Sequence, residues 1–173
     1  QGYEDTTIEE IIEESGTSKG SFYHYFEGKD ALLGSLSFLF DEKYMELEAQ
    51  LSGFATRYEQ LIYLNQELFS MIENSISLDL LARLYSTQLT TSGEKHLLDH
   101  NRIYYKLLRK IIAKGRENGQ LSRTSGVSEM VKLYALCERA LLYDWCLCAG
   151  EYSLVEYSSR VLPVFLSSFL PQN

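Results

Sequence analysis

Proline, cysteine and long apolar stretches are scarce in this sequence, and each scarcity narrows the class of protein. Only 2 prolines occur among the 173 residues, which favours a compact, helix-rich fold. No apolar run approaches the ~20 residues that a bilayer-spanning helix needs, and the acidic N-terminal segment is unlike a secretory signal, so no membrane partner is expected. The 3 cysteines lack a disulfide-framework spacing and are interpreted as reduced thiols of a cytoplasmic protein.

Positive charge is also in short supply. The chain carries 16 lysines and arginines against 24 aspartates and glutamates, for a formal net charge of -8. A negative total argues against nucleic-acid binding as a first interpretation. Net charge, however, governs solubility and long-range attraction and does not identify a site, so a few well-placed cations can still meet phosphates.

The N-terminal segment contains the signals of a helix start. Two threonines at positions 6 and 7 are each followed three residues later by a glutamate, the capping box that satisfies free amides at a helix start. Three isoleucines then share one helical face: Ile8, Ile11 and Ile12. Gly16 stands where a helix would stop in a left-handed turn, which predicts a short helix over residues 7–15.

A second helix is predicted to begin almost at once, because Ser18 is a good N-cap and only Gly16 and Thr17 separate the two helices. So tight a connection is typical of a helix-turn-helix. The new helix opens with small polar residues and one cation: Thr17, Ser18, Lys19, Gly20 and Ser21. Short side chains allow a close approach to a DNA groove, where the hydroxyls and Lys19 can meet base edges or phosphates.

Aromatic residues and a lysine follow this helix start: Tyr23, His24, Tyr25 and then Lys29. Tyrosine hydroxyls and a lysine suit phosphate contacts, which fix register without reading base sequence. As a whole, the stretch from Thr6 to Leu33 resembles the DNA-binding signature of the TetR family of transcriptional regulators. A pair of ordinary amphipathic helices with packing aromatics is the alternative interpretation.

The resemblance implies an all-α fold with a helix-turn-helix DNA-binding domain over residues 1–35 and a larger helical regulatory and dimerisation domain over residues 36–173. The family has one more helix before this pair, so we expect that first helix to be missing from the given sequence. The residues expected to contact the DNA groove or backbone are Thr7, Thr17, Ser18, Lys19, Gly20, Ser21, Tyr23, His24, Tyr25 and Lys29. Two such domains, about 34 Å apart in a dimer, would meet a palindromic operator.

Apolar periodicity predicts six more helices, over residues 29–50, 55–74, 77–90, 94–118, 127–149 and 153–170. Pro163 predicts a kink in the last of them. The fourth carries a run of cations, interpreted as a solvated face that balances the helix dipole: Arg102, Lys106, Arg109, Lys110, Lys114 and Arg116.

The last two helices are apolar on more than one side, which indicates burial against a second surface. The additional stripes comprise Leu133, Leu136, Ala140, Tyr143 and Leu147 on one helix, and Leu154, Val161 and Leu170 on the other. Because similar proteins dimerise through their last two helices as a four-helix bundle, the resemblance implies a homodimer.

A small apolar or aromatic effector is the expected partner besides DNA. TetR-like proteins generally bind an inducer among the middle helices, and the candidates in this sequence are Tyr63, Tyr85, Tyr104, Tyr134 and Trp145. Plain core packing is the alternative for each of them. The sequence therefore favours a ligand-released repressor, and a TetR-like regulator that acts through a protein partner is the alternative.

No metal, cofactor or catalytic site is expected. His96 and His100 lie four apart on a predicted helix, but no third ligand is evident, and a small helical enzyme that uses them is the rival function. Cys146 and Cys148 diverge on a helix and are interpreted as small apolar groups. Neither a Gly-rich phosphate loop nor a nucleophile elbow stands out, which argues against an enzyme.

Overall fold

The computed structural model describes residues 29–90, 92 and 95–171, and every structural statement below refers to these residues. In this part of the chain the backbone forms six α-helices and no strand: α1 (Lys29–Glu48), α2 (Arg57–Ser75), α3 (Leu78–Thr90), α4 (Ile103–Glu117), α5 (Val127–Leu147) and α6 (Leu154–Phe165). Short 3-10 helices lie at Leu51–Gly53, His96–Leu98 and Leu166–Phe169. The all-α prediction is confirmed. None of the described helices is long and apolar enough to cross a membrane.

Only the last residues of the predicted DNA-binding segment are among the described residues. The helix over residues 7–15 and the helix-turn-helix contacts from Thr7 to Tyr25 lie outside them. Lys29, the last of the predicted DNA contacts, is the first residue of α1. Helix α1 therefore connects the predicted DNA-binding segment to the rest of the bundle.

Helix α2 packs against α1, α4 and α6. It begins with a capping box, in which the Thr56 hydroxyl accepts the N–H of Glu59 at 3.1 Å and the Glu59 carboxylate accepts the N–H of Thr56 at 2.9 Å. Its buried apolar side chains follow helical spacing: Leu61, Leu64, Leu68, Phe69 and Ile72. The cap defines where the helix starts, and the apolar stripe defines which face turns towards the core.

The prediction of a helix over residues 94–118 is wrong at its N-terminal end, because α4 begins at Ile103. The Asp99 carboxylate accepts the N–H of Asn101 at 2.8 Å, and such a local side-chain bond competes with helix formation. Asp41 of α1 then accepts a free N–H of the first turn of α4 at 3.2 Å. A tertiary contact, which sequence periodicity does not show, therefore decides where this helix starts.

Helix α6 ends earlier than predicted, at Phe165, and the chain continues as a 3-10 helix over Leu166–Phe169. Pro163 lies inside α6 and has no N–H to donate to the carbonyl four residues before it. Its own carbonyl accepts the hydroxyl of Tyr58 on α2 at 3.2 Å. The missing backbone bond lies in the turn before Pro163, and regular α-helix ends two residues after the proline.

Candidate functional site

A small cavity of about 50 Å³ lies inside the bundle. Its apolar wall is formed by Phe40, Leu68, Ile72, Leu97, Ala135 and Leu142, and its polar wall by Tyr44, Tyr85, Arg102, Tyr104, Glu138 and Arg139. Tyr85, Leu97 and Arg139 are the half-buried members of this wall and form the mouth of the cavity, whereas the side chain of Arg102 is only 9% exposed. The fully buried residues, among them Tyr44 and Glu138, form the inner end of the cavity.

The structure brings two of the five predicted ligand residues into this cavity, Tyr85 and Tyr104. The other three lie elsewhere and make their own hydrogen bonds. The Tyr63 hydroxyl donates to the side chain of Gln50 at 2.5 Å. The Tyr134 hydroxyl donates to a backbone carbonyl of α2 at 2.8 Å, and the Trp145 indole donates to a carbonyl of the loop after α5 at 2.9 Å. Of these contacts, the Tyr134 hydrogen bond joins α5 to α2.

Glu138 of α5 is a buried acid at the inner end of the cavity, with 4% of the residue exposed. Its Oε2 accepts the Tyr104 hydroxyl at 2.7 Å, and its Oε1 accepts Nδ2 of Asn65 at 3.0 Å. Burial raises the pKa of Glu138 above its usual value, although these hydrogen bonds act to lower it. The carboxyl group therefore holds its proton more tightly than an exposed glutamate does.

Two buried polar atoms beside Glu138 have no hydrogen-bond partner among the described residues: the Tyr44 hydroxyl and Oδ1 of Asn65. Tyr44 is 1% exposed, and its ring centroid lies 5.0 Å from that of Tyr104. Burial raises the pKa of Tyr44 well above its usual value, so the hydroxyl remains protonated and able to donate. Of these two atoms, the Tyr44 hydroxyl belongs to a residue that lines the cavity, which therefore has hydrogen-bonding capacity that the protein does not use.

Sequence reasoning missed Glu138, Asn65 and Tyr44 as site residues. A signal existed for Glu138, because it falls four residues after Tyr134 and so belongs to the buried stripe of α5. A carboxylate at such a position is rare unless it is paired. No sequence signal could show that the Tyr44 hydroxyl lacks a partner, since that depends on contacts between the helices that surround the cavity.

A buried ion pair joins the cavity wall to α1. Arg102 donates to Asp41 through Nε at 3.0 Å and through Nη2 at 3.1 Å. The two side chains are only 9% and 10% exposed. The prediction that Arg102 belongs to a solvated basic face is therefore wrong, because this residue precedes α4 as its N-cap and turns inwards towards Asp41. The exposed cations of α4 are Lys106, Lys110 and Lys114.

The two histidines do not share a helical face, so the geometry assumed for them in the sequence is wrong. His96 lies in a 3-10 helix, with its ring centroid 6.3 Å from that of Phe38. His100 lies in the following turn, with its ring centroid 4.5 Å from that of Tyr105. The described part of the chain contains no group of three or more His, Cys, Asp or Glu residues that could hold a metal ion.

An apolar outer face runs along α5 and α6. We define it by Leu136, Ala140, Tyr143, Leu147, Tyr157, Val164 and Phe165, all of which are exposed. The prediction is wrong for Leu154, which is fully buried because it shares an i, i+4, i+8 spacing with the buried Ser158 and Leu162. Val164, which is 74% exposed, was missed and belongs to the outer face.

These features define a class of fold: an all-helical domain with an internal cavity and an apolar face on its last two helices. Residues 1–36, most of which precede this domain, match the family described as bacterial regulatory proteins, tetR family. The match confirms the resemblance to the TetR family of transcriptional regulators that the N-terminal segment predicted. No curated protein matches the chain in a sequence comparison.

Several solved structures share this fold over nearly their whole length. FadR from Bacillus subtilis in complex with stearoyl-CoA is 22% identical with a TM-score of 0.76, over 97% of this chain and 91% of that chain. FadR from Thermus thermophilus, a repressor in complex with lauroyl-CoA, is 22% identical with a TM-score of 0.69, over 100% of this chain and 89% of that chain. The ketosteroid regulator KstR2 of Mycobacterium tuberculosis is 18% identical with a TM-score of 0.61, over 98% of this chain and 87% of that chain. These proteins are transcription regulators, and the likeness establishes a TetR-like fold.

Proposed function

We propose that this protein is a ligand-responsive repressor, which binds a palindromic operator as a homodimer and is released when a small molecule enters the cavity. The observation that carries the proposal is the position of Arg102, which lines the cavity and also pairs with Asp41 of α1. Helix α1 begins at Lys29, within the N-terminal segment that matches the family. The cavity and the DNA-binding segment therefore share one connecting helix.

The size of the cavity gives a physical reason for coupling. At about 50 Å³ it is too small for a ring-sized guest, since an engineered protein cavity that binds benzene measures about 150 Å³. A guest of that size must displace side chains of the cavity wall, and Arg102 is one of them. Because Arg102 holds Asp41 through two hydrogen bonds, its displacement shifts or frees α1. The guest then binds the open arrangement better than the closed one, which is the condition for a population shift.

The DNA side of the proposal uses the ten contact residues predicted from Thr7 to Lys29, with the domain division at residues 35 and 36. The match over residues 1–36 supports this assignment. The outer face of α5 and α6 supports the homodimer, because side chains such as Leu147, at 67% exposed, gain most from burial against a second copy. A dimer presents two DNA-binding segments to the two halves of a palindrome.

The effector side is supported by the mainly apolar wall and by the presence of acyl-CoA in the two FadR structures of the same fold. We propose an apolar or aromatic small molecule as the effector. The three cysteines are free thiols, which fits a protein that works on DNA in the reducing cytoplasm.

Footprinting of the protein on the DNA upstream of its own gene tests the proposal. Wild-type protein is expected to protect a palindromic site. Replacing Tyr23 and Lys29 together (Tyr23→Phe, Lys29→Ala) is expected to weaken binding to all sequences alike and to reduce the salt dependence by about one phosphate contact per lost charge.

Lys106→Ala is the matched control, because it removes the same charge from an exposed position on α4. The assignment of DNA contacts is wrong if the double variant keeps the wild-type affinity. A footprint that responds to a protein partner and to no small molecule would instead support the alternative, a regulator without an effector.

A further inference from the structure

The Tyr44 hydroxyl is the most informative polar group in the cavity. It is buried at the inner end, it lines the cavity, and no described residue accepts or donates a hydrogen bond to it. A buried hydroxyl without a partner lowers the stability of the folded protein. A bound molecule that supplies the partner would remove this penalty, which makes Tyr44 a candidate contact for the head group of an effector.

The charged side chains near Tyr44 are engaged within the protein. Arg102 is paired with Asp41, and Arg139, at the half-buried mouth of the cavity, donates to the Tyr105 hydroxyl at 3.2 Å. A charged head group beside Tyr44 would consequently be buried at the inner end of the cavity without a counter-charge. Such burial costs far more than a hydrogen bond contributes, so the inner end disfavours both carboxylate and ammonium head groups.

Apolar side chains form the rest of the inner cavity, with Phe40, Leu68, Ile72, Ala135 and Leu142 as its buried members. We propose that the effector is an uncharged molecule with an apolar body and a hydroxyl head, and that this head exchanges hydrogen bonds with Tyr44. The inference rests on the proposed function, because it names the chemical class of the effector. It also separates this protein from a regulator that accepts a polyanionic acyl-CoA.

Calorimetric titration of the purified protein with four probes that share one body tests the head group. The probes are 4-methylphenol, p-xylene, 4-methylbenzoate and 4-methylbenzylammonium. All four meet the same requirement to open the cavity, so differences in affinity report the head group alone. We expect 4-methylphenol to bind about 3- to 10-fold more tightly than p-xylene, which lacks the hydrogen bond, and at least about 100-fold more tightly than either ion.

Tyr44→Phe provides a second readout that does not depend on the choice of probe. Removing a hydroxyl that has no partner is expected to leave the melting temperature unchanged or to raise it. The same variant is expected to bind 4-methylphenol and p-xylene with equal affinity. A clear fall in melting temperature would mean that the hydroxyl has an internal partner, and it would overturn the inference.

Tyr58→Phe is the matched control, because its hydroxyl donates to the carbonyl of Pro163 away from the cavity. This variant is expected to lower the melting temperature and to keep the preference for 4-methylphenol. Tighter binding of an ion or of p-xylene, or no binding of 4-methylphenol, contradicts the inference. Stearoyl-CoA is titrated in parallel: if it alone binds and releases DNA, the chemical class is wrong while the proposed function stands. A missing footprint, in contrast, overturns the proposed function itself.

Discussion

Asp41 accepts hydrogen bonds from Arg102 on both of its carboxylate oxygens, at 3.0 and 3.1 Å, and both side chains are about nine-tenths buried. Charge-assisted pairs with two hydrogen bonds are geometrically specific. This pair fixes α1 against the start of α4, where Asp41 also accepts the N–H of Tyr104. Asp41 thus holds α1 against α4, caps the first turn of α4 and fixes Arg102 and Tyr104 in the cavity wall.

Removing one partner of the Asp41–Arg102 pair is expected to destabilise the folded protein. Asp41→Asn leaves Arg102 buried without its counter-charge, so the free energy of unfolding should fall by about 3–5 kcal/mol. The double variant Asp41→Asn/Arg102→Met is expected to lose less than the sum of the two single variants, because it leaves no unpaired charge. Urea denaturation followed by circular dichroism measures all three.

The exposed pair of Lys110 with Glu48 is the control for this experiment. Its lysine side chain is 72% exposed, so Glu48→Gln is expected to change the free energy of unfolding by less than about 1 kcal/mol. Strictly additive effects of Asp41→Asn and Arg102→Met would show that the two side chains do not stabilise each other.

Glu138 makes stability depend on pH in an unusual direction. Its pKa in the folded protein is raised above the ordinary value of 4.5, chiefly by burial. The folded state then binds the proton more tightly than the unfolded state. The contribution of protonated Glu138 to the free energy of unfolding is therefore fully present at pH values below the ordinary pKa. It is lost as the pH rises towards the raised pKa. Glu138→Gln removes this loss, since Asn65 can turn its unpartnered Oδ1 towards the new amide.

Thermal denaturation between about pH 4 and pH 8 measures the effect, in the window where a raised carboxyl pKa acts. The melting temperature of Glu138→Gln is expected to exceed that of the wild type by a margin that grows with pH. Glu117→Gln, which changes an exposed carboxylate, should run parallel to the wild type. Parallel curves for Glu138→Gln would refute the assignment of a raised pKa.

The outer face of α5 and α6 predicts the behaviour of the protein in solution. Val164→Glu places a charge at the most exposed apolar position of this face and is expected to weaken self-association at least about 100-fold. Light scattering after gel filtration is then expected to report a monomer for the variant and a dimer for the wild type. Leu89→Glu, at a residue 73% exposed on α3, is the matched control and should remain dimeric. A Val164→Glu dimer would place the interface elsewhere.

Periodicity predicted the described helices because each buries one stripe of apolar side chains, as the leucines of α2 do. Periodicity predicted the wrong helix boundary where tertiary contacts determine that boundary. The region before Ile103 carries a helical pattern, yet the local bond of Asp99 and the cap from Asp41 delay the helix. The prediction for Leu154 was wrong for another reason, since Leu154 belongs to the buried stripe that Ser158 and Leu162 continue.

The cavity was harder to predict than the fold. Aromatic residues were sensible candidates, but Tyr134 uses its hydroxyl to join α5 to α2, and Tyr104 uses its own to bind Glu138. Which of two similar tyrosines faces a cavity depends on helix orientation, which composition does not encode. The buried acid and the unpartnered hydroxyl of Tyr44 can be recognised only when the five surrounding α-helices are in place.

The narrowness of the cavity also sets how sensitive the response can be. A guest that fits only the open arrangement binds the fraction of molecules that are open, so its apparent dissociation constant equals the intrinsic one divided by that fraction. The 50 Å³ space thereby acts as a concentration threshold. In the proposed function, the strength of the Arg102–Asp41 pairing would then tune how much effector a cell must accumulate before transcription starts.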